Sequence, residues 1–133
     1  MLEESEDMIL KTRTLLDYYK NAKTKGVIED ADIISKDENI SCGDEVKIYI
    51  KLDEDRKVRE AKFTGHGCII SQASAAMLTE MIKGKSVEEL SKMDKKELLD
   101  AIGVPLGPVR IKCALLSFKV MKKGVLEYIA KKV

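Results

Sequence analysis

The chain is predicted to be an α+β domain in which a small three-stranded antiparallel sheet packs against several helices. Three observations predict it. Strand-like stretches fill the first half and helical periodicity the second, an order that segregates sheet from helices. Two of the strand-like stretches are joined by Asp53-Glu54-Asp55-Arg56, a short polar link suited to an antiparallel hairpin. At 133 residues the chain is long enough to bury one real core, so residues 1–133 are expected to form a single domain.

The opening helix is expected over Met8–Lys23, where Leu10, Leu15, Leu16 and Tyr19 make a partial apolar stripe. Residues 1–7, which include Glu3, Glu4, Glu6 and Asp7, read as a flexible acidic tail ahead of it. Gly26 is expected to close the helix. Strands follow at Val27–Ser35, Glu45–Leu52 and Val58–Thr64. In the second, Val46, Ile48 and Ile50 alternate with Lys47 and Lys51, the period of a half-buried strand. From Cys68 on the pattern is helical. Ile69–Lys83 carries apolar residues near helical spacing and stops at Gly84. Ser86 with Glu89, and Asp94 with Glu97, have the spacing of capping boxes for two short helices. After the Gly103–Pro108 loop, a last helix over Val109–Lys131 is expected to pack through Leu115, Phe118, Met121, Val125 and Ile129.

Composition excludes several function classes. The formal net charge is +1, which gives no reason to expect a nucleic-acid or acidic-membrane partner. No stretch is long and apolar enough to span a bilayer, and no secretory start is visible. Three cysteines, an odd number, fit a cytoplasmic protein whose thiols stay reduced.

Those cysteines carry the chemistry. Cys42 lies in Ser41-Cys42-Gly43-Asp44, Cys68 in Gly65-His66-Gly67-Cys68, and Cys113 in Arg110-Ile111-Lys112-Cys113. A fold that joined them would make, with Asp44, a four-ligand metal site of three sulfurs and one oxygen. Asp44 itself either caps a turn or joins the ligands. Cys68 is placed at a helix N-terminus, where unpaired N–H groups and the helix dipole favour thiolate. The small residues Ser71, Ala73, Ser74, Ala75 and Ala76 make the following helix slim enough for close approach. Cys113 is expected on the first turn of the last helix. Three thiolates and a carboxylate leave a divalent centre with a formal excess of about two negative charges, which Arg110 and Lys112 either offset or ignore as solvated surface. His66 is an alternative ligand or proton acceptor, or else a strand-end side chain without chemical duty. The paired C-x-x-C spacing of structural zinc is absent, so zinc, an iron–sulfur cluster and a bare sulfur-accepting thiol all remain open.

Several ordered motifs resemble the IscU/NifU N-terminal family of iron–sulfur cluster assembly scaffolds. They are Asp17-Tyr18-Tyr19-Lys20-Asn21-Ala22, Ser41-Cys42-Gly43-Asp44, Gly65-His66-Gly67-Cys68-Ile69-Ile70-Ser71-Gln72-Ala73-Ser74, Thr79-Glu80-Met81-Ile82-Lys83-Gly84-Lys85-Ser86 and Pro108-Val109-Arg110-Ile111-Lys112-Cys113-Ala114. The resemblance implies a SufE/NifU-like fold. It also implies a scaffold or carrier rather than an enzyme in the strict sense. Such a protein accepts sulfur from a pyridoxal-phosphate cysteine desulfurase, binds iron, builds a [2Fe–2S] cluster and passes it to apo-proteins. By motif, Cys42, Asp44, Cys68 and Cys113 would hold the cluster, or Zn²⁺ when no cluster is present. The persulfide acceptor would be Cys113 as in the IscU branch or Cys42 as in the SufU branch, whose members are zinc-dependent sulfurtransferases. Lys112, where IscU proteins carry histidine, is SufU-like, whereas the SufU insertion between the second and third cysteines is missing. Pro105-Leu106-Gly107-Pro108-Val109-Arg110 alters the Leu-Pro-Pro-Val-Lys segment of IscU, which leaves recognition by an Hsp70-type chaperone open. A homo-oligomer is compatible with the resemblance.

Overall fold

The structure, a computed structural model, describes residues 2–132, with side chains from residue 6 onward. Its order is α1 (Leu2–Lys20), β1 (Ile33–Asn39), β2 (Asp44–Leu52), β3 (Val58–His66), α2 (Ile69–Met81), α3 (Val87–Lys92), α4 (Lys95–Ile102) and α5 (Pro108–Lys132). The predicted α+β class is what forms: an antiparallel sheet in the order β1-β2-β3 with the helices gathered on it. Among the described residues no helix is long and apolar enough to cross a membrane.

Register explains which side chains are buried. With period two, Val46, Ile48 and Ile50 of β2 share one face with Ile33 and Ser35 of β1 and with Ala61 and Phe63 of β3, and all are buried. α2 and α5 cover that face. Full burial of a side chain such as Phe63 or Ile48 contributes about 1.5–3 kcal/mol each. The capping boxes form as expected, Ser86 with Glu89 and Asp94 with Glu97. They start α3 and α4, which close the side of the core.

Several boundaries move. α1 begins at Leu2, so the acidic stretch expected as a flexible tail is helix, and within it Asp7 pairs with Lys11 at 3.0 Å. Met1 lies outside the described residues. The helix stops at Lys20, and Gly26 does not cap it: its N–H donates to the Phe63 carbonyl, making residues 24–26 a short edge along β3. β1 lies six residues later than the Val27 start expected. Its polar stretch Ser35–Asn39 has weak strand propensity, and pairing with β2 overrides it.

The packed face of α5 is also rotated from the expected one. The buried residues are Cys113, Ala114, Leu116, Ser117, Val120, Met121, Gly124 and Val125, while Leu115, Phe118 and Ile129 are only partly covered. Close approach decides this. A β-carbon at Gly124 would lie 2.8 Å from both Ile33 Cγ2 and Ser35 Cβ, so the helix rests on β1 where it has no side chain. α2 behaves alike: every residue from Ser71 to Thr79 is buried, because its small side chains let β3, α1 and α5 come near.

Candidate metal centre

The site forms at one end of the sheet, where three elements deliver one cysteine each. Cys42 ends the tight turn Ile40–Cys42 between β1 and β2, and Gly43, at φ +69°, returns the chain into β2. Nothing would crowd a side chain at Gly43, so the requirement there is the left-handed backbone alone.

Asp44 is the first residue of β2 and belongs to the same inward row as Val46, Ile48 and Ile50. That alternation carries its carboxylate into the protein, where it is 1% exposed. Its Oδ1 accepts the Cys68 N–H at 2.8 Å, and its Oδ2 lies 3.8 Å from Cys68 Sγ. Of the two sequence readings of Asp44, turn cap or ligand, the first is not what forms: Oδ1 serves a backbone N–H 24 residues along the chain, while Oδ2 faces the Cys68 thiol, the position the ligand reading needs.

Glycines make this approach possible. Gly67 stands at φ +139°, and a β-carbon there would collide with Asp44 Oδ1 and Cα. At Gly65 a β-carbon would overlap the Glu45 carbonyl oxygen and sit 3.1 Å from Gln72 Oε1. Cys68 then caps α2: its sulfur accepts the Ser71 N–H at 3.4 Å, which fulfils the helix-terminus expectation. Gln72, which is buried, donates from Nε2 to the Glu45 carbonyl at 3.2 Å and to Ser71 Oγ at 3.1 Å. It ties the start of α2 to the start of β2 and so fixes Asp44 against Cys68. Sequence reasoning assigned Gln72 no duty; the signal was a long amide in a row of otherwise small residues.

Cys113 is the sixth residue of α5, on its second turn rather than its first, and is 1% exposed. Its Sγ lies 3.2 Å from Cys42 Sγ. Donor atoms of Cys42, Asp44 and Cys113 all lie within 4.8 Å of one another. Cys68 joins the group through Asp44 and through Cys113, to which it is close enough to raise the pKa. Burial first, then hydrogen bonding with Cys42 and Asp44, pushes the Cys113 thiol up from its ordinary 9.0. Of the two readings of Arg110 and Lys112, charge offset or solvated surface, the structure has both exposed, and neither is a cause of the shift.

His66 is not brought to the group. It pairs with Glu45 in the β2–β3 register, on the face opposite Asp44 and Gly65, and its Nε2 lies 3.2 Å from Glu45 Oε2. Lys36 reaches the same glutamate at 3.2 Å, and these contacts, with Lys36 leading, hold the Glu45 carboxyl below its usual range.

The donor set suits a thiophilic ion. Sulfur at about 2.3 Å and oxygen at about 2.0–2.2 Å from a tetrahedral ion sit roughly 3.5–3.8 Å apart; Cys68 Sγ and Asp44 Oδ2, at 3.8 Å, stand at that spacing, and the Cys42–Cys113 pair, at 3.2 Å, has to open slightly. Near each cysteine in sequence stands an exposed apolar residue: Ile40 two before Cys42, Ile69 directly after Cys68 and Val109 four before Cys113, at 84%, 41% and 64% exposed. A cleft of about 410 Å³ between the end of β1 and α5 is lined by Ile40, Ile111, Leu115 and Leu116 with Glu38 and Lys112 among its polar residues, and includes none of the cysteines.

Residues 10–133 match the family model of the NifU-like N-terminal domain. The chain belongs to that family. It is 42% identical to the zinc-dependent sulfurtransferase SufU of Bacillus subtilis, over 87% of this chain and 89% of the relative. It is 37% identical to the iron–sulfur cluster assembly scaffold protein IscU of Thermotoga maritima, over 88% and 93%. Among solved structures it resembles, with a TM-score of 0.72 and 35% identity, a Fervidobacterium islandicum protein provisionally named an iron–sulfur cluster assembly scaffold for the SUF system, over 84% of this chain and 93% of that one. The expected family and fold are thereby borne out, and both branches weighed from the sequence stand among its relatives.

Proposed function

We propose that this protein is a scaffold. It takes sulfur from a pyridoxal-phosphate cysteine desulfurase and combines it with iron into a [2Fe–2S] cluster. The cluster is then released to apo-proteins. The observation that carries this reading is the convergence of Cys42, Asp44 and Cys113, whose donor atoms lie within 4.8 Å of one another, with Cys42 and Cys113 Sγ 3.2 Å apart and Cys68 Sγ 3.8 Å from Asp44 Oδ2. Family membership and the IscU relative support it.

In this reading Cys42, Cys68, Cys113 and Asp44 hold the cluster as cargo. Sulfur ligands suit iron–sulfide centres, whereas a carboxylate is the harder and more easily exchanged partner. Asp44 is then the ligand whose departure lets the cluster leave. The half-open mouth gives a receiving protein access to the cargo. Anaerobic incubation with iron, L-cysteine and a desulfurase should give the absorption and Mössbauer signature of a [2Fe–2S] centre. Protein that takes up only zinc under those conditions contradicts the proposal.

A zinc-dependent sulfurtransferase is the second reading, favoured by Lys112 and by the SufU relative. Zn²⁺ bound by the same four side chains would orient and activate a thiol, with no cluster formed. Stimulation of desulfurase turnover by zinc-loaded protein in the absence of iron would select it.

A further inference from the structure

The geometry points to a sulfur relay inside the protein: we propose that Cys42 receives the persulfide first and hands its outer sulfur to Cys113. The inference rests on the sulfur-accepting role proposed above and adds an order to the two candidate acceptors.

Three observations carry it. Cys42 lies on the turn between β1 and β2, half-exposed, with exposed Ile40, Ser41 and Gly43 around it, so a donor's cysteine-bearing loop can reach it. Cys113 is 1% exposed, on a helix that rests on the sheet, and a bulky donor cannot reach its sulfur directly. Yet the two sulfurs stand 3.2 Å apart, inside van der Waals contact. A persulfide extends the reach of Cys42 by one S–S bond of about 2.05 Å, and the two Sγ atoms need part by only about an ångström for the outer sulfur to stand between them in line for exchange. Cys68 is the poorer receiver, because its sulfur already accepts the Ser71 N–H at 3.4 Å as the cap of α2.

The step is an exchange without net oxidation. Cys113 sulfur attacks the outer sulfur on Cys42, a new S–S bond forms on Cys113, and the S–S bond at Cys42 breaks. Cys42 leaves as thiolate and takes up the proton that Cys113 gives up. One Cys42 persulfide and one Cys113 thiol become one Cys42 thiol and one Cys113 persulfide, and the sulfane sulfur keeps its oxidation state. The buried position then shelters the sulfur from solvent thiols that would strip it from the turn.

The test is rapid quenching of the full chain with a cysteine desulfurase and L-cysteine, followed by alkylation and mass spectrometry of each cysteine peptide. In the wild type, label should appear on Cys42 first and on Cys113 later. Cys42→Ser should lower Cys113 persulfide by at least about tenfold, since the direct route is closed. In Cys113→Ser the label should stay on Cys42 and accumulate there, because no receiving thiol follows. Label reaching Cys113 in Cys42→Ser as fast as in the wild type, or reaching Cys113 first in the wild type, would overturn the relay. If no wild-type cysteine is labelled, the sulfur-accepting role itself fails, an outcome distinct from the other two.

Discussion

The two ends of β2 are built with the same parts and used differently. At the hairpin end, Asp53 accepts the N–H groups of Asp55 and Lys57 on a single oxygen, Oδ1, each at 2.9 Å. Arg56 there takes a left-handed φ of +62°, and Asp53 is exposed. At the other end, Asp44 also uses Oδ1 for a backbone N–H, but it is buried and its Oδ2 faces Cys68 Sγ. Gly43 and Gly67 supply the positive φ values. An aspartate that spends one oxygen on the fold and keeps the other among thiols is what distinguishes a chemical end from a merely closed one.

The comparison can be broken by altering one end at a time. Gly67→Ala should have the largest effect, because the new methyl collides with Asp44 and the backbone must leave φ +139°. We expect a loss of about 1–3 kcal/mol in chemical denaturation. Isothermal titration should show zinc affinity falling by roughly 10–100-fold, as for loss of a residue that orients a ligand. Gly124→Ala should cost a similar ~1–3 kcal/mol by wedging α5 off Ile33 and Ser35. Zinc affinity should survive it, because Gly124 lies about 16 Å along the helix from Cys113. Equal damage to zinc binding in both variants would erase the distinction between packing and site.

A pH series sharpens the same contrast. Cys113 has its pKa raised in the fold, so between the unfolded and folded values the native state holds the extra proton. Metal-free protein should therefore lose stability as pH rises through and above about 9, the unperturbed thiol value. Zinc-loaded protein, whose ligating thiols are already deprotonated, should not show that fall. Thermal melts from pH 7 to 10 read both. At the hairpin end, Asp53→Ala should cost only about 1 kcal/mol through its lost turn bonds and leave metal affinity unchanged.

Much of this was legible in the chain. Alternation in β2, the polar hairpin and both capping boxes are local signals, and each forms as read. The cysteine settings also point to their convergence, since turn, strand–helix junction and helix start are places where a side chain can be aimed. What was less legible depends on tertiary approach. Lys36–Asn39, beyond the expected end of the first strand, becomes strand only because β2 pairs with it. α5 turns its Ala114, Ser117 and Gly124 face inward, and a hydrophobicity pattern ranks those residues below Leu115 and Phe118. His66 and Asp44 were separable in principle by extending the alternation of β2 two residues back and matching it across β3. That register sends Asp44 inward and His66 outward, but register is a property of the pair of strands, not of either alone.

The central claim is that three sulfurs and the spare oxygen of Asp44 surround one ion. X-ray absorption at the zinc edge of the zinc-loaded protein measures that directly, best alongside Asp44→Asn, which keeps an acceptor for the Cys68 N–H while removing the carboxylate. Wild type should show three sulfurs at about 2.3 Å and one oxygen at about 2.0 Å, with the sulfur count unchanged and the short oxygen shell altered in the variant. A wild-type shell with two sulfurs or fewer, or an oxygen shell indifferent to Asp44→Asn, would contradict it.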